Sequence, residues 1–271
     1  MRRQHDGKLA MAVERSLELL WGDRSRPTRG PKPGLSVDKI VASAIEIADT
    51  EGLDALSMQR VAARLNFSTM SLYRYVPGKE QLFDVMMDVA GGPAPDLDDL
   101  DGWRPKIERW VHALWARYQQ HPWMLQVRVS GPPVGPNALS WLEAALRALS
   151  ETRLRHEEVL SVSLFLNGAV SGLARLSTDT ARATEATGRA DAPAGDPAPG
   201  YSETLASLID AERFPTLLKM VSAGVLRPGS AAGSAIGAGS APDVEFGLQR
   251  LLDGIEVYVE AHDPTRTRPH E

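Results

Sequence analysis

An all-α fold is predicted for this chain of 271 residues: an N-terminal three-helix helix-turn-helix domain followed by a helical ligand-binding and dimerisation domain. Three observations carry that prediction. Apolar residues recur at i, i+3 and i+4 in segment after segment, which gathers them on one helical face. No segment sustains the apolar–polar alternation of a half-buried strand, so no sheet is expected. Early in the chain three short helices follow each other through tight turns, as a helix-turn-helix requires.

Residues 1–35 read as a flexible basic N-terminal arm. They hold a weakly amphipathic stretch, Leu9 to Trp21, then RSRPTRGPKPG, whose prolines and glycines deny both helix and strand. The first well-marked helix is capped by Ser36, carries Ile40, Val41, Ala44, Ile47 and Ala48 on one face, and stops at Gly52. Ser57 caps the next, MQRVAARL, with Val61, Ala62 and Leu65 facing inward. Asn66 suits a left-handed turn. Ser68 starts TMSLYRYV, with Leu72, Val76 and part of Met70 turned to the core, and Pro77-Gly78 ends it. A fourth helix, Lys79 to Ala90, carries Leu82, Phe83, Val85, Met86 and Val89.

The helix-turn-helix domain is therefore set at 36–83 and the second domain at 84–262, with a disordered tail at 263–271. GGPAPDLDDLDG (91–102) is a breaker-rich boundary. Helical periodicity resumes over 103–120, near 123–129, and over 137–150, 155–179, 201–225 (interrupted at Pro215) and 243–261. The stretches 182–200 and 227–242 are rich in Ala, Gly, Pro and Ser and read as mobile loops.

The net charge of -5 is unpromising for a nucleic-acid partner until it is divided. Residues 1–83 hold 13 Lys/Arg against 10 Asp/Glu, and the remainder 17 against 25. Two acid-free segments stand out: Arg24 to Val37, with Arg24, Arg26, Arg29 and Lys32, and Ser57 to Lys79, with Arg60, Arg64, Arg74 and Lys79. Phosphate binding depends on such local patches rather than on the total. With no cysteine, disulfides and thiolate metal sites are excluded. No signal-peptide core is expected at the start of the chain, and no apolar stretch is expected to approach the roughly 18 residues of a membrane span. A cytoplasmic protein is expected.

A helix-turn-helix sinks its second helix into the major groove. On that helix Ser68, Thr69, Ser71, Tyr73, Arg74 and Tyr75 face outward, and hydroxyls and guanidinium suit phosphates and base edges. Lys79, at the start of the next helix, adds a phosphate contact. The alternative places Tyr73 and Tyr75 in the core of a small helical domain. The run LSMQRVAARLNFSTMSLYRYVPGKEQLFDVMMD closely resembles the DNA-binding domain of the tetracycline-repressor (TetR) family. Asn66 stands where that family commonly has glycine. The resemblance implies a two-fold dimer, a C-terminal effector pocket, and DNA contacts at Met58, Gln59, Thr69, Ser71, Tyr73, Tyr75 and Lys79. The two C-terminal loops resemble those of the tetracycline-repressor-like C-terminal class. The basic segment Arg24, Arg26, Arg29, Lys32 either enters an adjacent minor groove or is a solvated tail.

In the second domain Trp110, Leu114, Tyr118 and Trp141 supply enough aromatic surface to line a cavity for an apolar or aromatic effector, with Asn167 as its hydrogen-bonder; the other reading is plain core. The stripes Val159, Val162, Leu166, Val170, Leu173 and Val244, Leu248, Leu251, Leu252, Ile255, Val259 lie on helices 155–179 and 243–261. The resemblance makes these a four-helix homodimer interface. Six histidines show no zinc spacing, Gly168-Ala-Val-Ser171-Gly172 lacks the nucleophile-elbow order, and the glycines at 229–239 follow no strand. No enzyme, metal or cofactor is expected. The reading is a regulator, most simply a repressor released from a palindromic double-stranded operator by a small molecule. The competing one is a helical ligand-binding or scaffolding protein without DNA binding.

Overall fold

The computed structural model describes residues 14–22, 34–127, 134–186, 201–225 and 241–261. The described residues form helices and turns with no strand, as the periodicity predicts. The chain divides into two compact units, Met1–Glu151 and Thr152–Glu271.

In the first unit the helix-turn-helix head is α2 (Val37–Glu51), α3 (Met58–Arg64) and α4 (Thr69–Tyr73), followed by α5 (Lys79–Gly91). Each head helix starts at a serine cap. The Ser36, Ser57 and Ser68 hydroxyls accept from the backbone amides of Lys39, Arg60 and Ser71, filling donors that the first turn leaves open. Gly52 ends α2 at φ 85, where a side chain would be strained. Asn66 adopts φ 58 between α3 and α4, the left-handed turn its side chain tolerates. Ile40, Ile47, Val61, Leu72, Val76, Leu82 and Val85 are fully buried. Met70 departs from the expectation: at 74% exposure it points outward, because α4 ends at Tyr73 and one inward Leu fills the space beneath so short a helix.

α6 (Trp103–Gln120) and α7 (Pro136–Leu149) complete this unit. The breaker run 91–102 turns at Gly92 and Gly102, both at positive φ. The joint between α5 and α7 is reciprocal. The buried Asp88 carboxylate of α5 accepts from the Ala138 amide at 2.9 Å and from Asn137 Nδ2 at 3.2 Å, capping α7. Trp141 of α7 donates through Nε1 to the Gly92 carbonyl at 2.9 Å, filling an acceptor at the end of α5. A Cβ at Gly135 would stand 2.1 Å from Asp88 Oδ1, so only glycine leaves room for this cap. The 3-10 turn Pro122–Gln126 after α6 is tied to the head. Asp49 Oδ1 of α2 accepts from Trp123 Nε1 at 2.6 Å and shares a 2.8 Å hydrogen bond with His121 Nδ1.

One part of the expected flexible arm is not an arm. Residues 14–21 form a helix, α1, with Leu20 in the head's hydrophobic core and Ser16 buried. Its polar and apolar residues alternate weakly, so the sequence signal was faint. Burial of only Ser16 and Leu20 explains why.

The second unit contains α8 (His156–Ala186), α9 (Tyr201–Leu208), α10 (Pro215–Ser222) and α11 (Ala241–Ala261). Helix therefore reaches beyond the expected end of 155–179 and into the edges of both predicted loops. The start of α8 meets α11 where Tyr258 Oη donates to Glu158 Oε1 at 2.9 Å. Hydrogen bonds from the Arg155 guanidinium and amide, with that from Tyr258, hold the Glu158 carboxyl down at about 2. The pair Arg155–Glu158 thus stays charged through the neutral range. The expectation that no segment is long and apolar enough to span a membrane fails for His156–Asp179, whose most apolar window has a mean hydropathy of 1.5. The cause is two apolar faces on one helix, one covered by this chain and one open.

Candidate nucleic-acid interface and effector unit

The surface expected to read DNA is built on α4 and the start of α5. Tyr73, Arg74 and Tyr75 are exposed, Tyr73 at 45% and Tyr75 at 37%, so the tyrosines are not core aromatics. Ser68 is exposed, and Thr69 and Ser71 are half-buried. The Ser68 and Ser71 hydroxyls lie 2.8 Å apart, which leaves Ser71 less free to reach a base than Thr69. Lys79 sits at the first position of α5 with its ammonium 5.2 Å from the Phe83 ring centroid, a rest position for a cation facing solvent. Gln59 on α3 is exposed.

Met58 does not belong to this surface. It is 6% exposed and packs in the head's core, because the first residue of α3 turns inward beneath its serine cap. The exposed methionine here is Met70 on α4, whose flexible thioether is suited to apolar contacts such as a thymine methyl group. Sequence reasoning missed Met70 because one-turn spacing from Leu72 and Val76 cannot settle which way a five-residue helix faces.

The cation count also changes. Arg60 pairs with Glu51 and Arg64 with Glu46, both acids coming from α2. The acid-free segment 57–79 is thus answered from another helix. Arg74 and Lys79 make no ion pair among the described residues, so of the four cations in that segment they keep an uncompensated charge. Arg24, Arg26, Arg29 and Lys32 lie outside the described residues. The described chain resumes at Gly34, whose carbonyl accepts from Lys39 Nζ at 2.9 Å.

The expected effector residues are dispersed. Trp110 and Trp141 do meet, edge to face with ring centroids 5.8 Å apart, and Trp110 Nε1 donates to the Trp141 carbonyl at 2.9 Å. Leu114 is buried on the same helix as Trp110, while Tyr118 packs against the core of the reading head. Asn167 is exposed on α8, in the other unit. An open cleft of about 570 Å³ lies between α8 and α11, lined by Leu154, Val162, Leu251, Ile255 and Tyr258 among others, and none of the five expected residues borders it.

The apolar stripes named for the dimer interface need correction. Val159, Leu166 and Val170 of α8, and Leu248, Leu252 and Ile255 of α11, are buried by this same chain. The side chain of Val244 lies outside those described. The open face instead carries Leu160, Leu164, Phe165, Leu173 and Leu176 of α8, with Phe246, Val257 and Tyr258 of α11; Leu164 is 58% and Phe165 62% exposed. Of the residues first chosen, Leu173 alone is on that face. Single-stripe reasoning picked the face that periodicity marks most strongly, although a helix apolar all round signals burial on both sides.

Comparison with known proteins places this geometry. Residues 40–86 match the model of bacterial regulatory proteins of the tetR family, and residues 94–259 match that of the tetracyclin repressor-like C-terminal domain. The chain is similar to the HTH-type transcriptional repressor DrrR1 of Streptomyces coeruleorubidus, with 40% identity over 253 residues, 91% of this chain and 87% of that one. It is 33% identical over 145 residues to an HTH-type transcriptional regulator of Saccharopolyspora erythraea, covering 52% of this chain and 61% of the other. Its fold is similar to ActR from Streptomyces coelicolor without ligand, with a TM-score of 0.62, 24% identity, and coverage of 83% of this chain and 96% of that one.

Proposed function

The chain belongs to the tetR family of bacterial regulatory proteins, and from that premise we propose that it is a dimeric repressor whose α4 and α5 start read a palindromic operator. The observation that carries this is the composition of the α4 face. Tyr73 at the end of α4, with Arg74 and Tyr75 in the turn just after it, stands in solvent while α4 buries Leu72, and Lys79 follows. Such side chains suit phosphates and base edges. The scaffolding alternative gives no reason for an exposed tyrosine pair, with an Arg that makes no ion pair among the described residues, at the end of one short helix.

The open apolar face of α8 and α11 supports pairing of two chains through these helices, since monomers rarely leave so large an apolar patch to water. The effector of this reading is a small apolar or aromatic molecule. The Trp110–Trp141 pair is its best-supported contact, because Trp141 also holds the last carbonyls of α5. A ligand that displaces Trp141 would loosen the helix that carries Lys79, which supports release rather than tightening. Such a regulator works on the chromosome, hence in the cytoplasm.

Immobilised protein challenged with sheared genomic DNA of the host tests the DNA-binding part. Fragments sharing a two-fold element, with half-sites about one helical turn apart, are expected to be enriched. Recovery of random sequence would leave the α4 surface without its assigned role.

A further inference from the structure

The helix α1 precedes the helix-turn-helix and is bound to the head at several points. Ser16 donates from its hydroxyl to Asp84 Oδ2 of α5 at 2.5 Å and is itself only 3% exposed. Leu20, one turn on, is 5% exposed in the head's core, with Leu19 packed beside it. Trp21 donates through Nε1 to the Val134 carbonyl at 2.7 Å, two residues before α7 begins.

These ties complete a triangle. Asp84 and Asp88 lie one helical turn apart on α5 and so share a face. The first grips α1, and the second caps α7. Trp21 then joins α1 to the segment entering α7. The reciprocal α5–α7 joint runs along one seam, about which two elements can still swing, whereas three elements joined pairwise hold their angle. We propose that α1 is a clasp that fixes the angle between the reading head and α7, with Ser16, Leu20 and Trp21 as its positioning residues. Its consequence for operator binding rests on the DNA-reading function proposed above. With the clasp open, the head samples more orientations and spends less time in the one that docks.

The absence of cysteine from the chain makes a site-specific distance measurement straightforward. Spin labels at Ala63→Cys on α3 and Glu143→Cys on α7, both exposed positions, report the head-to-α7 distance within one chain when labelled protein is diluted into unlabelled. Ser16→Ala combined with Trp21→Phe removes both polar ties and keeps Leu20, so the fold is retained. The distance distribution is expected to broaden, and operator affinity to fall about three- to ten-fold with an unchanged salt slope, since no phosphate contact is lost. A chain lacking residues 1–22, which keeps the basic segment 24–32, should broaden further. An unchanged distribution in the double variant overturns the clasp. A broadened distribution in a protein that binds no DNA at any salt leaves the clasp standing and removes the DNA-reading proposal instead. A drop in melting temperature with an unchanged distribution makes α1 merely stabilising and also overturns it.

Discussion

Replacing Leu164 and Phe165 together by aspartate is expected to convert the dimer to monomers at micromolar concentration while leaving helical content intact. Both side chains already face solvent in the single chain, so the protomer loses no packing. In a two-fold interface every residue is used twice, and the double variant therefore removes four large apolar side chains. At roughly 1.5–3 kcal/mol for each side chain taken out of water, the loss exceeds about 6 kcal/mol, before the cost of burying four carboxylates. That is more than four orders of magnitude in the dimer dissociation constant. Operator affinity should fall by about 10²–10⁴, the factor gained when two heads are linked on one duplex. Sedimentation equilibrium checks the first part and anisotropy on the recovered operator the second. The matched control is Leu166→Ala on the buried side of α8, which should lower thermal stability. A persistent dimer in the aspartate variant would move the interface off this face.

The second large effect is at the reading head. Tyr73→Ala with Arg74→Ala is expected to weaken operator binding by about 100-fold or more, given roughly 1–3 kcal/mol for a well-placed base or phosphate contact. Circular dichroism should not change, because Leu72 and Val76 beneath them are untouched. Arg60→Ala gives the contrast. Its guanidinium is held by Glu51, so its loss should cost operator affinity much less than that of Arg74, although both lie in the same acid-free segment. Equal losses at Arg60 and Arg74 would mean that the ion pair opens on DNA.

How far the sequence is legible varies by element, for physical reasons. Much of the head is legible: α2 and α3 match their expected spans to within a residue, whereas the third helix ends at Tyr73 instead of running on to Val76. Its three serine caps, Gly52 and Asn66 are local signals that depend on neighbours within one turn, and all adopt the expected geometry. The orientation of α4 is less so: at five residues it offers one turn of periodicity, and Met70, expected to turn partly to the core, faces solvent. Pairings across the chain are not legible at all. Nothing in MQRVAAR says that Glu46 and Glu51 of another helix will neutralise Arg64 and Arg60. Likewise the weak pattern of residues 14–21 hides a docked helix, because a helix that buries two residues leaves little periodic trace. On α8 the failure has the opposite cause. Two apolar faces superimpose, and the residues first assigned to the partner were those covered by the chain itself. The effector residues are legible only in part: Trp110 and Trp141 do meet, but apolar density alone does not say that Tyr118 packs on the head or that Asn167 stands exposed in the other unit.

The central claim is that two copies of the α4 face read two halves of one site. Its most direct test is a pair of anisotropy titrations between about 50 and 200 mM salt, one on the recovered two-fold duplex and one on the same duplex with a single half-site scrambled. Scrambling should lower affinity at least about 100-fold and reduce the slope of log affinity against log salt, since one head's phosphate contacts fall away. Equal affinity and equal slope on the two duplexes would contradict the account.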